Sequence, residues 1–370
     1  MQKYEYGGNV LTPWETPETI NYKRTMEQFG IKEFNFDLDH HFFRRKIILG
    51  HRDFDRIYNC IKENKEFAVV SGMMPSGKMH FGHKMVVDLI KFYQNYTDKI
   101  YIPIADLEAY WARNIDFEKT KNLAIEEYII NYVALGLDID KAFIYLQSKY
   151  SKVKDLSFRF AKKTNWSELK AIYGFGGDTN IGHVFAPLIQ VADILHPEFD
   201  EDLNKNPIPV VVPVGLDQDP HIRLTRDIAK RVKIIEPSST YHRFMRGLLG
   251  GKMSSSKPET AIFLTDEEKE VKKKIFSAKT GGGKTLEEHK KYGGNPEECV
   301  IYELFLYHLI LDDKELLNIY ESCKKGELTC GKCKKLAYNL VIEFLKNLKE
   351  KREQAKEIVN EKIKEGKILV

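Results

Sequence analysis

Short apolar runs alternate with longer segments of helical periodicity through the middle of this chain. The apolar runs are 67–72, 99–105, 142–147 and 208–215, and the helical segments are 79–95, 118–136, 184–195 and 219–231. Strands that alternate with helices predict an α/β fold with a doubly wound parallel sheet. Ligands of such folds bind at the carboxyl ends of the strands, and the segments that follow 67–72 and 208–215 lie at such ends.

Changes in composition divide the chain into three predicted parts. At 370 residues it is long enough for two or three domains. We expect residues 1–65 to form an extension packed on the next domain. Residues 66–270 should form the doubly wound domain, with a helical insertion at about 106–185 and a mobile loop at 247–258. Residues 271–370 are rich in lysine and helical in pattern, which predicts a separate helical domain.

Charge and hydropathy exclude some classes of protein. The net charge of +4 is too small to predict nucleic-acid binding by itself, although a local basic surface remains compatible with it. No run of about 18 apolar residues occurs, so no membrane span is expected. The first residues have no apolar signal core, which favours a cytoplasmic protein.

A first motif, 75–83, joins the apolar run 67–72 to a helical segment. Its phosphate-site candidates are Pro75, Ser76, Gly77, His80, Gly82 and His83. A helix start directs free N–H groups toward an anion, and glycine lets a nucleotide approach the backbone. His80 and His83 lie about one helical turn apart and can both donate to phosphate. The alternative is a strand–turn–helix with two surface histidines.

A second motif, 252–256, follows a glycine-rich stretch and precedes Pro258. Its residues are Lys252, Met253, Ser254, Ser255 and Ser256. Glycines before it and a proline after it indicate a mobile loop without regular structure. A lysine and hydroxyls on such a loop can close over a triphosphate and neutralise charge as pyrophosphate leaves.

Together, in this order, the two motifs resemble the signatures of class I aminoacyl-tRNA synthetases. Nearly the whole chain is similar to tryptophanyl-tRNA synthetases of the archaeal and eukaryotic branch. The other segments that carry the resemblance are 12–14, 21–23, 48–53, 215–220, 225–227 and 262–266. The resemblance implies a Rossmann-like catalytic domain at 66–270 and an all-helical anticodon-binding domain at 271–370.

The resemblance also implies roles for the motif residues. ATP would contact Pro75, Ser76, Gly77, His80, Gly82, His83, Lys252, Met253 and Ser254. His80, His83 and Lys252 would stabilise the transferring phosphates, while Ser254 and Ser256 would hold the closing loop. The family usually has a second lysine where Ser255 stands, and Lys257 and Lys78 are the candidates for supplying that charge.

The implied reaction has two steps and defined partners. The carboxylate of L-tryptophan attacks the α-phosphorus of ATP with Mg²⁺ assisting, and pyrophosphate leaves. The 2′-hydroxyl of the terminal ribose of tRNA(Trp) then takes the acyl group. Catalysis rests on positioning and charge stabilisation, with no covalent nucleophile on the protein. The family implies a homodimer in which each tRNA crosses both subunits.

The same resemblance locates an amino-acid pocket. Its implied residues are Val70, Ser71, Gly72, Glu108, Gln190, Asp193 and Gln218. Tyrosyl enzymes of this branch have a tyrosine where Val70 stands, and an apolar residue suits indole better than a phenol, whose buried hydroxyl would lose a partner. Asp193 would accept the indole N–H, as an aspartate does in bacterial tryptophanyl enzymes. Glu108 and Gln190 would bind the substrate ammonium.

Alternatives to this interpretation remain open. An aspartate also occurs at the position of Asp193 in tyrosyl enzymes. Asp193 could instead be a helix residue with a solvent or lysine partner. A tyrosyl-tRNA synthetase shares the fold and both signatures. A non-catalytic relative that keeps the fold for RNA binding is the third possibility.

Four of the five cysteines are Cys299, Cys323, Cys330 and Cys333, of which the last three form a C-x6-C-x2-C pattern. Disulfides are rare in cytosolic proteins, whereas closely spaced thiolates suit a soft metal. Some bacterial tryptophanyl enzymes have nearly this spacing and hold a 4Fe–4S cluster. That resemblance implies such a cluster, zinc suits four thiolates equally well, and unligated thiols are the third alternative.

Overall fold

The computed structural model describes the backbone of residues 5–6 and 9–10 and all of residues 21–251 and 253–370. The strands are β1 (Glu5–Tyr6), β2 (Asn9–Val10), β3 (Lys32–Glu33), β4 (Ile48–Arg52), β5 (Ala68–Val70), β6 (Ile100–Ile104), β7 (Ala142–Leu146), β8 (Val210–Gly215), β9 (Ser238–His242) and β10 (Ile368–Leu369). Segment 12–14, which carried part of the resemblance, lies outside the described residues.

Helices occupy most of the remaining described chain. They are α1 (Tyr22–Phe29), α2 (His41–Arg44), α3 (Phe54–Glu63), α4 (Phe81–Tyr93), α5 (Asp106–Arg113), α6 (Phe117–Leu123), α7 (Ile130–Ala134), α8 (Ser151–Ala161), α9 (Trp166–Tyr173), α10 (Ile181–Leu195), α11 (Asp219–Val232), α12 (Glu268–Ser277), α13 (Leu286–Tyr292), α14 (Val300–Leu304), α15 (Asp313–Lys324) and α16 (Cys330–Lys364). Two π-helical segments, Ala124–Ile129 and Phe305–Leu309, extend α6 and α14. No helix among the described residues is long and apolar enough to cross a membrane.

One mixed sheet of eight strands forms the centre of the fold. Its order is β10-β7-β6-β5-β8-β9-β4-β3, and the strands from β10 to β9 are mutually parallel. Strands β4 and β3 extend one edge in antiparallel pairing. The predicted doubly wound α/β fold is therefore confirmed. Strand β7 lies within 106–185, so that segment contributes a strand to the main sheet as well as helices.

The central strands are apolar on both faces because helices cover both sides of the sheet. In β5, Val69 belongs to one core cluster, whereas Ala68 and Val70 belong to the other. This alternation follows from the two-residue period of a strand. Near-continuous apolar runs are typical of buried parallel strands, which explains why sequence 67–72 shows no polar alternation.

The C-terminal helices share a core cluster with the N-terminal part of the sheet domain. Apolar residues of α4, α14 and α16 lie in the same cluster as those of β5 and β6. Arg352 on α16 donates to Asn131 Oδ1 on α7. The chain then ends in β10, which pairs in parallel with β7. The domain division at residue 270 stays a prediction, and the last strand beyond it belongs to the main sheet.

A partly buried ion pair on α4 contacts the C-terminal helices through His308. Asp88 on α4 accepts a hydrogen bond of 2.6 Å from Lys84 Nζ, one helical turn earlier, and its Oδ2 lies 3.7 Å from Nδ1 of His308. His308 belongs to the π-helical segment that continues α14. Although burial alone would raise the pKa of Asp88, Lys84 and His308 hold this pKa well below its usual range.

Candidate active site

A cavity of about 410 Å³ opens at the carboxyl ends of β5 and β8, beside the start of α4. From the two motifs, Ser76, His80, Gly82, His83 and Met253 line it. From the implied amino-acid pocket, Val70, Ser71, Gly72 and Glu108 line it, as do Gln190, Asp193 and Gln218. Pro75, Gly77, Ser254 and Ser256, although described by the structure, lie outside this lining. Lys252 lies outside the described residues.

The two histidines of the first motif form the N-terminal cap of α4. His80 Nδ1 accepts from the backbone N–H of Gly82 at 3.1 Å, and His83 Nδ1 accepts from the N–H of His80 at 3.2 Å. The two rings are stacked with centroids 3.8 Å apart. Because both Nδ1 atoms accept, the ring protons are on Nε2. This arrangement puts the N–H group of each ring on the side away from its capping contact.

The capping role of these rings was not predicted from the sequence. The ordinary cap signal is Ser, Thr, Asp or Asn before the helix, and here a histidine supplies the acceptor. His83 sits three residues after the cap and returns a contact to the cap backbone, as glutamate does in a capping box. The same side chains can thus fix the helix start and still direct a donor toward a phosphate.

The second motif contacts the first through the residue that replaces the family lysine. Ser255 Oγ donates to the backbone oxygen of Lys78 at 3.0 Å. A Cβ on Gly77 would lie 2.9 Å from Ser255 Cβ, so glycine permits this close approach. Ser254 Oγ and Ser256 Oγ are 2.9 Å apart. Lys78 and Lys257, the two candidates for the charge of the absent family lysine, are both exposed.

Polar side chains from α10 and from the region of β7 meet where Asp193 lines the cavity. Asp193 on α10 is buried, and its Oδ1 accepts from Tyr145 Oη at 2.8 Å. Its Oδ2 accepts from Gln147 Nε2 at 2.6 Å. Burial raises the pKa of Asp193 to about 7, although the two hydrogen bonds act in the opposite direction. Asp193 therefore lies where the sequence predicted, but both of its carboxylate oxygens already have donors.

Sequence comparison with known proteins supports the synthetase interpretation of this cavity. A family model described as tRNA synthetases class I (W and Y) matches residues 62–346. The chain belongs to this family of class I synthetases. A tryptophan–tRNA ligase of Methanocaldococcus jannaschii is 76% identical over 96% of this chain and 98% of its own length. A second, from Methanopyrus kandleri, is 49% identical over 94% of this chain and 95% of its own length.

A solved structure in the same family has the same fold. The crystal structure of tryptophanyl-tRNA synthetase from Aeropyrum pernix is 41% identical, with a TM-score of 0.86. The match covers 92% of this chain and 95% of the other chain. The synthetase fold predicted from the two motifs is therefore confirmed for nearly the whole chain, while the roles of individual site residues remain predictions.

The four cysteines of this synthetase are electrostatic neighbours, and two of them, Cys323 and Cys330, lie against two glycines and a histidine. A Cβ on Gly282 would lie 2.4 Å from Cys330 Sγ and 3.3 Å from His289 Nδ1. A Cβ on Gly294 would lie 2.8 Å from Cys323 Sγ. Burial and the neighbouring thiols raise the pKa of Cys323 to about 11 and that of Cys333 further still. Cys299 and Cys333 are buried.

His289 was not predicted to belong to this cysteine group. Its Nε2 lies 3.0 Å from the backbone oxygen of Leu328, which makes Nε2 the donor. Its buried Nδ1 has no hydrogen-bond partner among the described residues. Within those same residues, no group of three or more His, Cys, Asp or Glu side chains is arranged to hold a metal ion. The cysteines therefore lie near one another, but their side chains are not arranged to coordinate a metal ion.

A methyl group at Gly72 should disrupt the cavity. A Cβ there would lie 2.2 Å from the carbonyl oxygen of Pro103 and 2.7 Å from its Cγ, so β5 and β6 would have to separate at their ends. We expect Gly72→Ala to lower the free energy of unfolding by about 1–3 kcal/mol and to weaken amino-acid binding. Urea denaturation and equilibrium binding would measure both effects.

Gly177→Ala is the matched control, because a Cβ at Gly177 would meet no heavy atom within 4 Å among the described residues. An unchanged stability and affinity in Gly72→Ala would contradict the close packing of the two strand ends.

Proposed function

We propose that this protein is a tryptophan–tRNA ligase, which activates L-tryptophan with ATP and transfers it to tRNA(Trp). The observation that carries the proposal is one cavity lined by two chemically different groups of side chains. The signature histidines, His80 and His83, are one group, and Asp193, Glu108 and Gln190 are the other. The relatives that match nearly the whole chain bear the same name.

In the first step, a carboxylate oxygen of tryptophan forms a bond to the α-phosphorus of ATP. The bond from that phosphorus to the bridging oxygen breaks, and pyrophosphate leaves. We infer that the Nε2–H groups of His80 and His83 donate to the phosphate oxygens, where negative charge accumulates. Lys252 is proposed to neutralise the leaving pyrophosphate. Mg²⁺ supplies further charge neutralisation when ATP binds as its magnesium complex.

In the second step, a hydroxyl of the terminal ribose of tRNA(Trp) attacks the carbonyl carbon of the adenylate. The ester forms as the bond between that carbon and the phosphate oxygen breaks, AMP leaves, and the proton of the hydroxyl is released. The protein contributes orientation and exclusion of water in this step and no covalent nucleophile. Because the proposed substrate is tRNA(Trp), we propose that the protein acts in the cytoplasm.

Selectivity against tyrosine is proposed to depend on Val70. This side chain is buried at the end of β5 and lines the cavity. A phenol hydroxyl beside it would give up its hydrogen bond to water and gain none from the valine. Indole has one polar side-chain group, its N–H, so the rest of the ring needs no hydrogen-bond partner beside an apolar residue. Glu108 and Gln190 are proposed to receive the ammonium group.

ATP–pyrophosphate exchange with tryptophan or tyrosine as the amino acid tests the proposal. We expect exchange that depends on tryptophan and is absent with tyrosine, followed by charging of tRNA(Trp). Exchange with tyrosine would overturn the substrate assignment while keeping the family. Folded protein that supports no exchange with either amino acid would favour a non-catalytic relative.

We infer that the protein works as a homodimer. An exposed apolar patch on α8 and α10 supports this assembly: Phe158 is 68% exposed and Ile181 is 81% exposed. Phe185 stands between them, one helical turn after Ile181 and 5.3 Å from the ring of Phe158. Contiguous exposed apolar surface is typical of a contact with another chain. Light scattering on the protein as it elutes from a size-exclusion column should give twice the mass of the chain. A monomer mass would contradict the dimer.

We also propose that Cys299, Cys323, Cys330 and Cys333 hold a structural metal group, either a 4Fe–4S cluster or zinc. The convergence of the thiols, and glycines at the two positions where a Cβ would meet cysteine sulfur, support it. A bound group would supply thiolate coordination and rigidity outside the catalytic cavity. Freshly purified protein should show charge-transfer absorbance with iron or, alternatively, stoichiometric zinc. Four freely titrating thiols without metal would contradict this proposal.

A further inference from the structure

Gln147 brings an unused hydrogen-bond acceptor to the cavity. This residue follows β7 and lines the cavity, and only 4% of it is exposed. Its Nε2 donates to Asp193 Oδ2 at 2.6 Å. Its Oε1 is buried and has no hydrogen-bond partner among the described residues. Buried amide oxygens are rarely left without a donor, so this atom indicates that a ligand group belongs beside it.

Asp193 determines which end of the Gln147 amide faces the cavity. An ionised carboxylate can only accept, so the amide must present its NH₂ group to Asp193 Oδ2. The reverse orientation would place two oxygens in contact. Tyr145 Oη fixes the other carboxylate oxygen at 2.8 Å, which holds the carboxylate plane. The chain from Tyr145 through Asp193 to Gln147 therefore turns Oε1 away from the carboxylate.

We propose that Gln147 Oε1 is the atom that accepts the indole N–H of tryptophan, and that Asp193 is a positioning residue for it. The proposal rests on the assignment of the cavity to tryptophan. It differs from direct recognition by Asp193, whose two oxygens each already accept a hydrogen bond. Indole carries a single hydrogen-bond donor and no acceptor, so its N–H can donate to an amide oxygen that lacks a partner. Gln147 is thus a specificity-determining residue of this pocket.

Protonation of Asp193 should reverse the orientation of the Gln147 amide. A protonated carboxyl can donate to Oε1, and the NH₂ group would then face the indole N–H. Burial raises the pKa of Asp193 to about 7, and the carboxylates of Asp106 and Glu108 on α5 contribute in the same direction. Tyr145 and Gln147 lower that pKa by donating. His196, which contacts the Asp193 backbone oxygen, has a pKa lowered to about 3 by burial and stays neutral.

The test compares tryptophan with 3-benzothienyl-L-alanine, in which sulfur replaces the indole N–H. The readout is the ratio of kcat/KM values in ATP–pyrophosphate exchange. We expect the wild-type protein to prefer tryptophan by about 10- to 100-fold, because the analogue leaves Oε1 without a donor. In Gln147→Met the ratio should fall to about one. Retention of the full preference in Gln147→Met would overturn the proposal.

Gln94→Met is the matched control for the loss of a buried glutamine. Gln94 is 7% exposed, and both ends of its amide are bonded to the backbone of Asp138. Neither residue lines the cavity. The tryptophan preference should stay at its wild-type value in this variant. If Gln94→Met lost the preference as Gln147→Met does, the effect would be one of general stability, which would count against the proposal.

Two further variants test the positioning role of Asp193. In Asp193→Asn, the KM for tryptophan should lose its rise below about pH 7, because no proton can bind there. In Tyr145→Phe, loss of the donor should move that rise to higher pH. An unaltered pH profile in both variants would overturn the positioning role. Absence of tryptophan-dependent exchange in the wild-type protein would instead contradict the proposed function, so the two failures are distinguishable.

Discussion

Replacing His83 with asparagine should lower the rate of adenylate formation by about 100- to 1,000-fold while leaving the start of α4 intact. The asparagine oxygen can occupy the position of Nδ1 and accept from the N–H of His80, as His83 does at 3.2 Å. It has no donor at the position of Nε2. Loss of one donor to developing charge typically costs this much in rate. Rapid-quench measurement of tryptophanyl-adenylate would give the rate.

Glutamine is the complementary substitution at this position. Its longer side chain can bring an NH₂ donor to the position of Nε2, but it gives up the acceptor at Nδ1. His83→Gln should therefore keep more of the rate than His83→Asn and lose about 1 kcal/mol of stability through the weakened cap. A higher rate in His83→Asn than in His83→Gln would show that His83 acts through the helix start and not through a phosphate contact.

Replacing Asp88 with alanine should lower the free energy of unfolding by about 3–5 kcal/mol. The substitution leaves the Lys84 ammonium in a site where its side chain is only 12% exposed, without the carboxylate now 2.6 Å away. An uncompensated buried charge has a penalty of this size. The result would be measured by urea denaturation, with the slope checked for two-state behaviour.

An apolar double variant separates the unpaired charge from lost packing. Lys84→Met with Asp88→Leu removes both charges and keeps the volume, so most of the stability should return. A loss below about 1 kcal/mol in Asp88→Ala would contradict the importance of the pair. Because the double variant keeps α4 packed, it also tests whether the contact between Asp88 and His308 affects the rate of adenylate formation.

The pH dependence of this pair has a definite sign. Lys84 and His308 hold the pKa of Asp88 well below its usual range despite burial. Its unfolded-state pKa is about 3.9, so the stability it contributes is complete above that value and declines as pH falls toward the lower pKa of the folded state. His308 does not add a charge at neutral pH, because burial lowers its pKa to about 4.

The active-site motifs show where local sequence is sufficient. Residues 67–72 and 79–95 carried the patterns of a buried strand and a helix, and β5 and α4 lie within them. The prediction of a phosphate site between them rests on how a strand enters a helix, so it needs no long-range contacts. The sequence did not predict that His80 and His83 also cap α4, because histidine is not an ordinary capping residue.

The sequence by itself determined the alternation of strands and helices, the order of the two signatures and part of the set of side chains that line the cavity. Only the tertiary structure decided that Gln147 meets Asp193, 46 residues away, with its oxygen turned from the carboxylate. It also decided that β10 returns to pair with β7 and that His289 joins the cysteines. Periodicity and turn signals act over a few residues, whereas these contacts depend on packing between distant elements, which no local pattern encodes.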